Sequence, residues 1–153
     1  MTIVHGDLIE LAMQGHFDVI VHGCNCFCSM GGGIARTVKA VFPATFEADC
    51  ETVPGDRDKL GTCTVADCPT ESGTVTVVNA YTQYDYTGPG VLVDYEALTR
   101  CLEWVARTYP DQRIGLPRIG AGLAGGDWQN IKSVIETTLN QIEYTVVLFR
   151  PNP

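Results

Sequence analysis

The chain alternates between short β-branched runs and longer stretches with apolar residues at helical spacing. Thr2–His5 reads as a short strand that stops at Gly6-Asp7, and Phe17–His22 is a run of the kind found in a buried strand. Ile34–Phe42 carries apolar residues at 34, 35, 38, 41 and 42, a helical spacing ended by Pro43. Thr62–Ala66 and Thr74–Ala80 are β-rich, with the turn residues Asp67-Cys68-Pro69 and Ser72-Gly73 between them. Asp94 is placed to cap a helix running to about Arg107, with Leu98, Cys101, Leu102 and Val105 on one face. Arg113–Pro117 reads as a short strand. Asp127 caps a last helix with Ile131, Val134, Ile135, Thr138, Leu139 and Ile142 on its inner face, and Thr145–Phe149 is the closing strand before a tail at 150–153. Tyr81–Val93 has no periodicity and reads as an ordered surface loop. Strands interleaved with helices predict a three-layer α/β/α domain around a central mixed, largely parallel sheet.

Length agrees with one domain spanning 1–153, large enough to bury a core without staples. The net charge of −8 argues against a sequence-specific nucleic-acid partner, which would need a basic face. A small anionic ligand stays open, because backbone N–H groups hold phosphates without lysine. No apolar run approaches the roughly 20 residues that span a bilayer, so no membrane partner is expected. The start, Met1-Thr2-Ile3-Val4-His5-Gly6-Asp7, lacks the basic and apolar segments of a signal peptide. The expectation is a soluble, cytoplasmic monomer.

The seven cysteines, 24, 26, 28, 50, 63, 68 and 101, are an odd count that does not read as a disulfide framework. Cys24-x-Cys26-x-Cys28 with His22 invites a metal reading. On an extended strand, however, same-face residues stand about 6.5–7 Å apart. Two thiolates on one zinc at about 2.3 Å would have to lie closer than about 4 Å. Buried or structural thiols are the expectation, with no metal and no cofactor.

Two glycine loops, at 31–33 and 120–126, each follow a strand and precede a helix. In an α/β sheet that is where strand ends open onto a ligand crevice. Glycine lets the backbone approach a phosphate, and the next helix offers N–H donors and the positive end of its dipole. Two such loops can pinch a diphosphate from both sides. Gly120-x-Gly122-x-x-Gly125 matches the dinucleotide fingerprint, but only one helix and one strand follow it, too little for a dinucleotide fold. No Gly-x-x-x-x-Gly-Lys-[Ser/Thr] run exists, which excludes a P-loop nucleotidase.

Taken together, Val4-x-Gly6-Asp7-Leu8, Val19-Ile-Val-His-Gly-Cys-Asn25, Gly31-Gly-Gly-Ile-Ala35 and Leu116-Pro-Arg-Ile-Gly-Ala-Gly-Leu-Ala-Gly-Gly-Asp-Trp128 resemble the macrodomain family, which binds ADP-ribose. The resemblance covers nearly the whole chain in the family's motif order. The 22–26 and 31–35 stretches look most like the fungal ADP-ribose 1''-phosphate phosphatase branch. Pro117–Trp128 also looks like the branch that removes ADP-ribose from carboxylates or DNA bases. The resemblance implies that Asp7 accepts the adenine amino group, with Leu8 or Ile9 at the base and Phe149 flanking it. It implies that Asn25 bonds the distal ribose, and that Gly31, Gly32, Gly33, Ile34 and Ala35 wrap the phosphates with Gly120, Ala121, Gly122 and Leu123. Tyr81 belongs to the same expected ligand set. The plain alternatives are a helix cap for Asp7 and core for Phe149.

The carboxylate-directed branch uses a lysine in the loop that here is Tyr81–Val93, and an aspartate after the second loop's leucine. The lysines here are Lys39, Lys59 and Lys132, and Ala124 follows Leu123, so a lysyl mechanism is not available. That leaves His22, Asn25 and Asp127 as catalytic candidates, with Asp85 or Tyr84 beside them. Histidine titrates near 6.5 and suits proton transfer at neutral pH. A hydrogen-bonded strand-end histidine and a plain helix cap are the alternatives for His22 and Asp127. Three readings follow: a hydrolase of ADP-ribose 1''-phosphate or a related ADP-ribose adduct, a non-catalytic ADP-ribose-binding module, and an interaction protein of the same shape without a nucleotide.

Overall fold

The computed structural model describes residues 1–150, and the rest of the expected tail, 151–153, lies outside the described residues. Strand β1 (Thr2–Gly6) leads into helix α1 (Leu8–Met13), and β2 (Val19–Cys24) is followed by α2 (Gly33–Val41) and α3 (Pro43–Cys50). A 3-10 turn at Arg57–Lys59 precedes the hairpin of β3 (Cys63–Thr70) and β4 (Gly73–Tyr81). Then come α4 (Tyr95–Thr108), β5 (Ile114–Leu116), α5 (Trp128–Thr138) and β6 (Tyr144–Phe149).

The six strands form one sheet in the order β1-β6-β5-β2-β4-β3, parallel throughout except for β3 against β4. This is the mixed, largely parallel α/β sheet that the interleaved pattern predicts. In a parallel strand buried on both faces, successive side chains feed two different cores. Along β2, Val19 and Val21 pack toward α4 and α5, with Leu98, Leu102, Ile131 and Ile135. Ile20 joins the opposite core with Leu8, Ile9, Val38 and Phe42. His22, two residues on, is fully buried on that second side.

Two short helices escaped the pattern reading. Asp7 is extended, and its Oδ1 accepts from the N–H groups of Ile9 and Glu10 at 2.9 and 3.2 Å, so the turn after Gly6 caps α1. Pro43 does end α2, yet it also opens α3 as its first residue, where a missing N–H costs nothing. The β3 strand runs through Asp67-Cys68-Pro69 to Thr70, since it is a sheet edge and tolerates proline there. Among the described residues no helix is long and apolar enough to cross a membrane.

Candidate functional site

Five parallel strands end on the same edge of the sheet. Reading across it, the strand order sets Asp7 after β1, Phe149 at the end of β6, Arg118 after β5, Asn25 after β2 and Gln83 after β4. All five line one cavity of about 960 Å³, at the upper end of the range that buries a cofactor-sized molecule. The two glycine loops form its opposing walls, with Gly31, Gly32, Gly33, Ile34 and Ala35 on one side and Gly120, Ala121, Gly122 and Leu123 on the other.

Each wall is made of unpaired donors. Gly32 caps α2 with an extended backbone and no side-chain bond, and the N–H groups of Gly33, Ile34 and Ala35 have no protein partner among the described residues. Those of Gly122, Leu123 and Ala124 are likewise free. The second wall is held in shape by the Gly126 N–H donating to the Gly120 carbonyl at 2.8 Å. Gly120 has φ +81°, and a Cβ there would lie 2.8 Å from Val93, so a side chain is excluded twice over. Leu123, 78% exposed, lays its Cδ1 methyl within 3.1 and 3.2 Å of where a Cβ on Gly32 or Gly33 would begin. The two walls therefore nearly touch. Unpartnered N–H groups on both walls, one set at a helix N-terminus, suit an anion bound between them.

At one end Leu8, Ile9 and Val147 give an apolar floor, and Phe149 stands at the rim with 73% of its surface exposed. The plain-core alternative for Phe149 fails, because the last residue of β6, paired with Gly6 at the end of β1, carries its side chain out to the rim. Asp7 lines the cavity while also capping α1. At the other end Asn25 is buried, its Oδ1 taking the Phe27 N–H at 2.9 Å and its Nδ2 donating to the Ser29 carbonyl at 2.7 Å. One amide hydrogen and one lone pair of Asn25 remain for a ligand.

Several expected site residues lie elsewhere. His22 does not line the cavity. Its Nε2 is 2.6 Å from Asn79 Oδ1 on the α1–α3 side of the sheet, and burial lowers its pKa to about 4, so it is neutral and shielded. The expectation that His22 acts in turnover is therefore corrected. Tyr81 is also turned away and fully buried, its hydroxyl donating to Asp49 at 2.7 Å. Asp127 is exposed and caps α5 through the Gln129 N–H at 3.0 Å, away from the cavity wall. Tyr84 bonds the Gly55 carbonyl and stacks under Arg57, and Asp85 caps its own turn. Neither Tyr84 nor Asp85 lines the cavity. Cys24 does, but burial pushes its thiol well above the ordinary value, so it is no nucleophile at neutral pH.

Sequence reasoning missed Ser29, Thr37, Gln83, Tyr86 and Arg118, all on the wall. Arg118 stood in view within the Pro-Arg-Ile-Gly run, without any mark of its own. The seven cysteines are all unpaired thiols. Cys24, Cys26, Cys68 and Cys101 are buried, Cys28 and Cys63 are half-buried, and Cys50 is exposed.

The fold has counterparts among known proteins. Residues 21–135 match the Macro domain family, and this chain belongs to it. A curated relative, an uncharacterized 17.5 kDa protein in the tk-vs intergenic region of Enterobacteria phage T4, is 34% identical, covering 97% of this chain and 96% of its own length. The DNA ADP-ribosyl glycohydrolase of Mycobacterium tuberculosis is 24% identical over 99% of this chain, which spans 42% of that longer protein. The ADP-ribose 1''-phosphate phosphatase of Candida albicans is 24% identical, covering 87% of this chain and 90% of its own. Among solved structures, the macrodomain of Thermus aquaticus DarG aligns with a TM-score of 0.75 and 25% identity over 98% and 97% of the two chains.

Proposed function

We propose that this chain binds ADP-ribose in the cavity and hydrolyses a derivative of it, ADP-ribose 1''-phosphate before others. Adenine lies on Leu8 and Ile9 beside Phe149, with Asp7 accepting from its amino group. The diphosphate lies between the two glycine walls, and Asn25 holds the distal ribose. In the reaction water adds to the terminal phosphorus, the bond to the oxygen on C1'' breaks, and ADP-ribose and phosphate leave. The observation that carries the reading is the pair of facing N–H sets, which suit a diphosphate in a chain of net charge −8. Two relatives that are hydrolases of ADP-ribose derivatives support it.

A second reading, a module that holds ADP-ribose without turning it over, is favoured by one feature. Among the described residues no histidine or lysine lines the cavity, and its one carboxylate, Asp7, already serves the cap of α1. Calorimetry with ADP-ribose tests binding, and phosphate release from ADP-ribose 1''-phosphate separates enzyme from module. Failure to bind ADP-ribose removes both.

A further inference from the structure

The geometry points to Arg118 as the recognition residue for a third phosphate, carried on one of the two riboses in addition to the diphosphate. The inference rests on the reading of the cavity as an ADP-ribose site and names a more highly phosphorylated nucleotide as its preferred ligand. Among the described residues Arg118 is the one cation that lines the cavity, and the only other charged lining residue is Asp7. In the row of strand ends Arg118 falls between Phe149 and Asn25, that is, between the base end and the distal-ribose end.

The main chain beneath it is pinned. The Arg118 carbonyl accepts from Ala121 N–H at 3.0 Å, and the next residue, Ile119, is buried against Gly23. The guanidinium itself is exposed and makes neither of the two ion pairs found among the described residues, Lys59–Asp49 and Arg113–Asp18. A planar fork of N–H donors without a partner suits the oxygens of a phosphate monoester. The diphosphate does not require this cation, because the glycine walls already offer it six unpaired N–H groups. Arg118 is left for an anion those walls do not reach.

The test compares the parent chain with Arg118→Met and Arg118→Lys on three ligands: ADP-ribose, ADP-ribose 1''-phosphate and ADP-ribose 2'-phosphate. Affinity is read by calorimetry, or as KM where phosphate is released, and melting curves check the fold. We expect Arg118→Met to weaken one phosphorylated ligand about tenfold or more. Binding of ADP-ribose should stay within about twofold, and Arg118→Lys should recover part of the loss, since it keeps the charge without the fork. Which ligand suffers identifies the ribose that bears the phosphate. Equal loss on all three would place Arg118 on the diphosphate and overturn the inference, as would no loss on any. A parent that binds none of the three instead removes the ADP-ribose reading itself.

Discussion

The Nε2 atom of His22 lies 2.6 Å from Oδ1 of Asn79, and this contact ties three strands and a helix together. The Asn79 amide donates to the Thr45 carbonyl of α3 at 3.0 Å and to the Thr64 hydroxyl of β3 at 3.1 Å. With both amide hydrogens used, Oδ1 accepts, and the network assigns the imidazole proton to Nε2. The ring is held neutral because burial lowers its pKa to about 4. Unfolded, it titrates near 6.5.

The folded state thus binds fewer protons than the unfolded one between those values. Stability is full above about pH 6.5 and is lost as pH falls toward 4, by up to about 3 kcal/mol from this group. Denaturant titrations at pH 7 and 4.5 should show the decline, and His22→Gln should flatten its slope in that window. An unchanged slope in the variant would assign the acid sensitivity elsewhere.

Lys59 is buried under the 25–29 loop, 3.9 Å from Asp49 and donating to the Cys26 carbonyl at 3.2 Å. Removing one partner of a buried pair strands the other charge. Lys59→Met should destabilise the chain by about 3 kcal/mol, and Lys59→Met with Asp49→Asn should recover part of that. Chemical denaturation of the single and double variants decides it.

Gly122 has no positive φ, and a Cβ built on it meets nothing within 4 Å. Gly122→Val should therefore fold like the parent while filling the space between the walls. ADP-ribose affinity should fall at least about tenfold with little change in melting temperature. Parent-like affinity would take this loop out of the site.

Asp7 both caps α1 and lines the cavity, so Asp7→Ala confounds two effects. Asparagine caps a helix about as well as aspartate. Asp7→Asn should keep stability within about 0.5 kcal/mol, yet lose about 1.5–3 kcal/mol of ADP-ribose binding if the carboxylate receives the adenine amino group. Calorimetry paired with melting curves separates the two roles.

The strands and the long helices α4 and α5 were legible because each buries one continuous apolar face or both sides of a run. Helix α1 was not, since six residues behind a Gly-Asp turn give fewer than two periods to read. Helix α3 was hidden by Pro43, which reads equally as a stop and as a start. In the site, the glycine loops announced themselves by composition. The error on His22 was one of depth: it lies two residues short of the end of β2, packed against Asn79, and the cavity begins only at Gly23, Cys24 and Asn25, a boundary that the run of apolar residues does not mark. Arg118, Gln83 and Tyr86 come together only because β5 and β4 flank β2, a neighbourhood that pattern along the chain does not encode.

Leu123 spans the gap between the second wall and Gly32 and Gly33. A molecule seated between the walls has to lift that methyl group, and its diphosphate would then be covered by it. On the proposed binding mode, the same leucine stands in the way of both arrival and departure. Shortening it to alanine should speed both directions together, so that residence time changes far more than affinity.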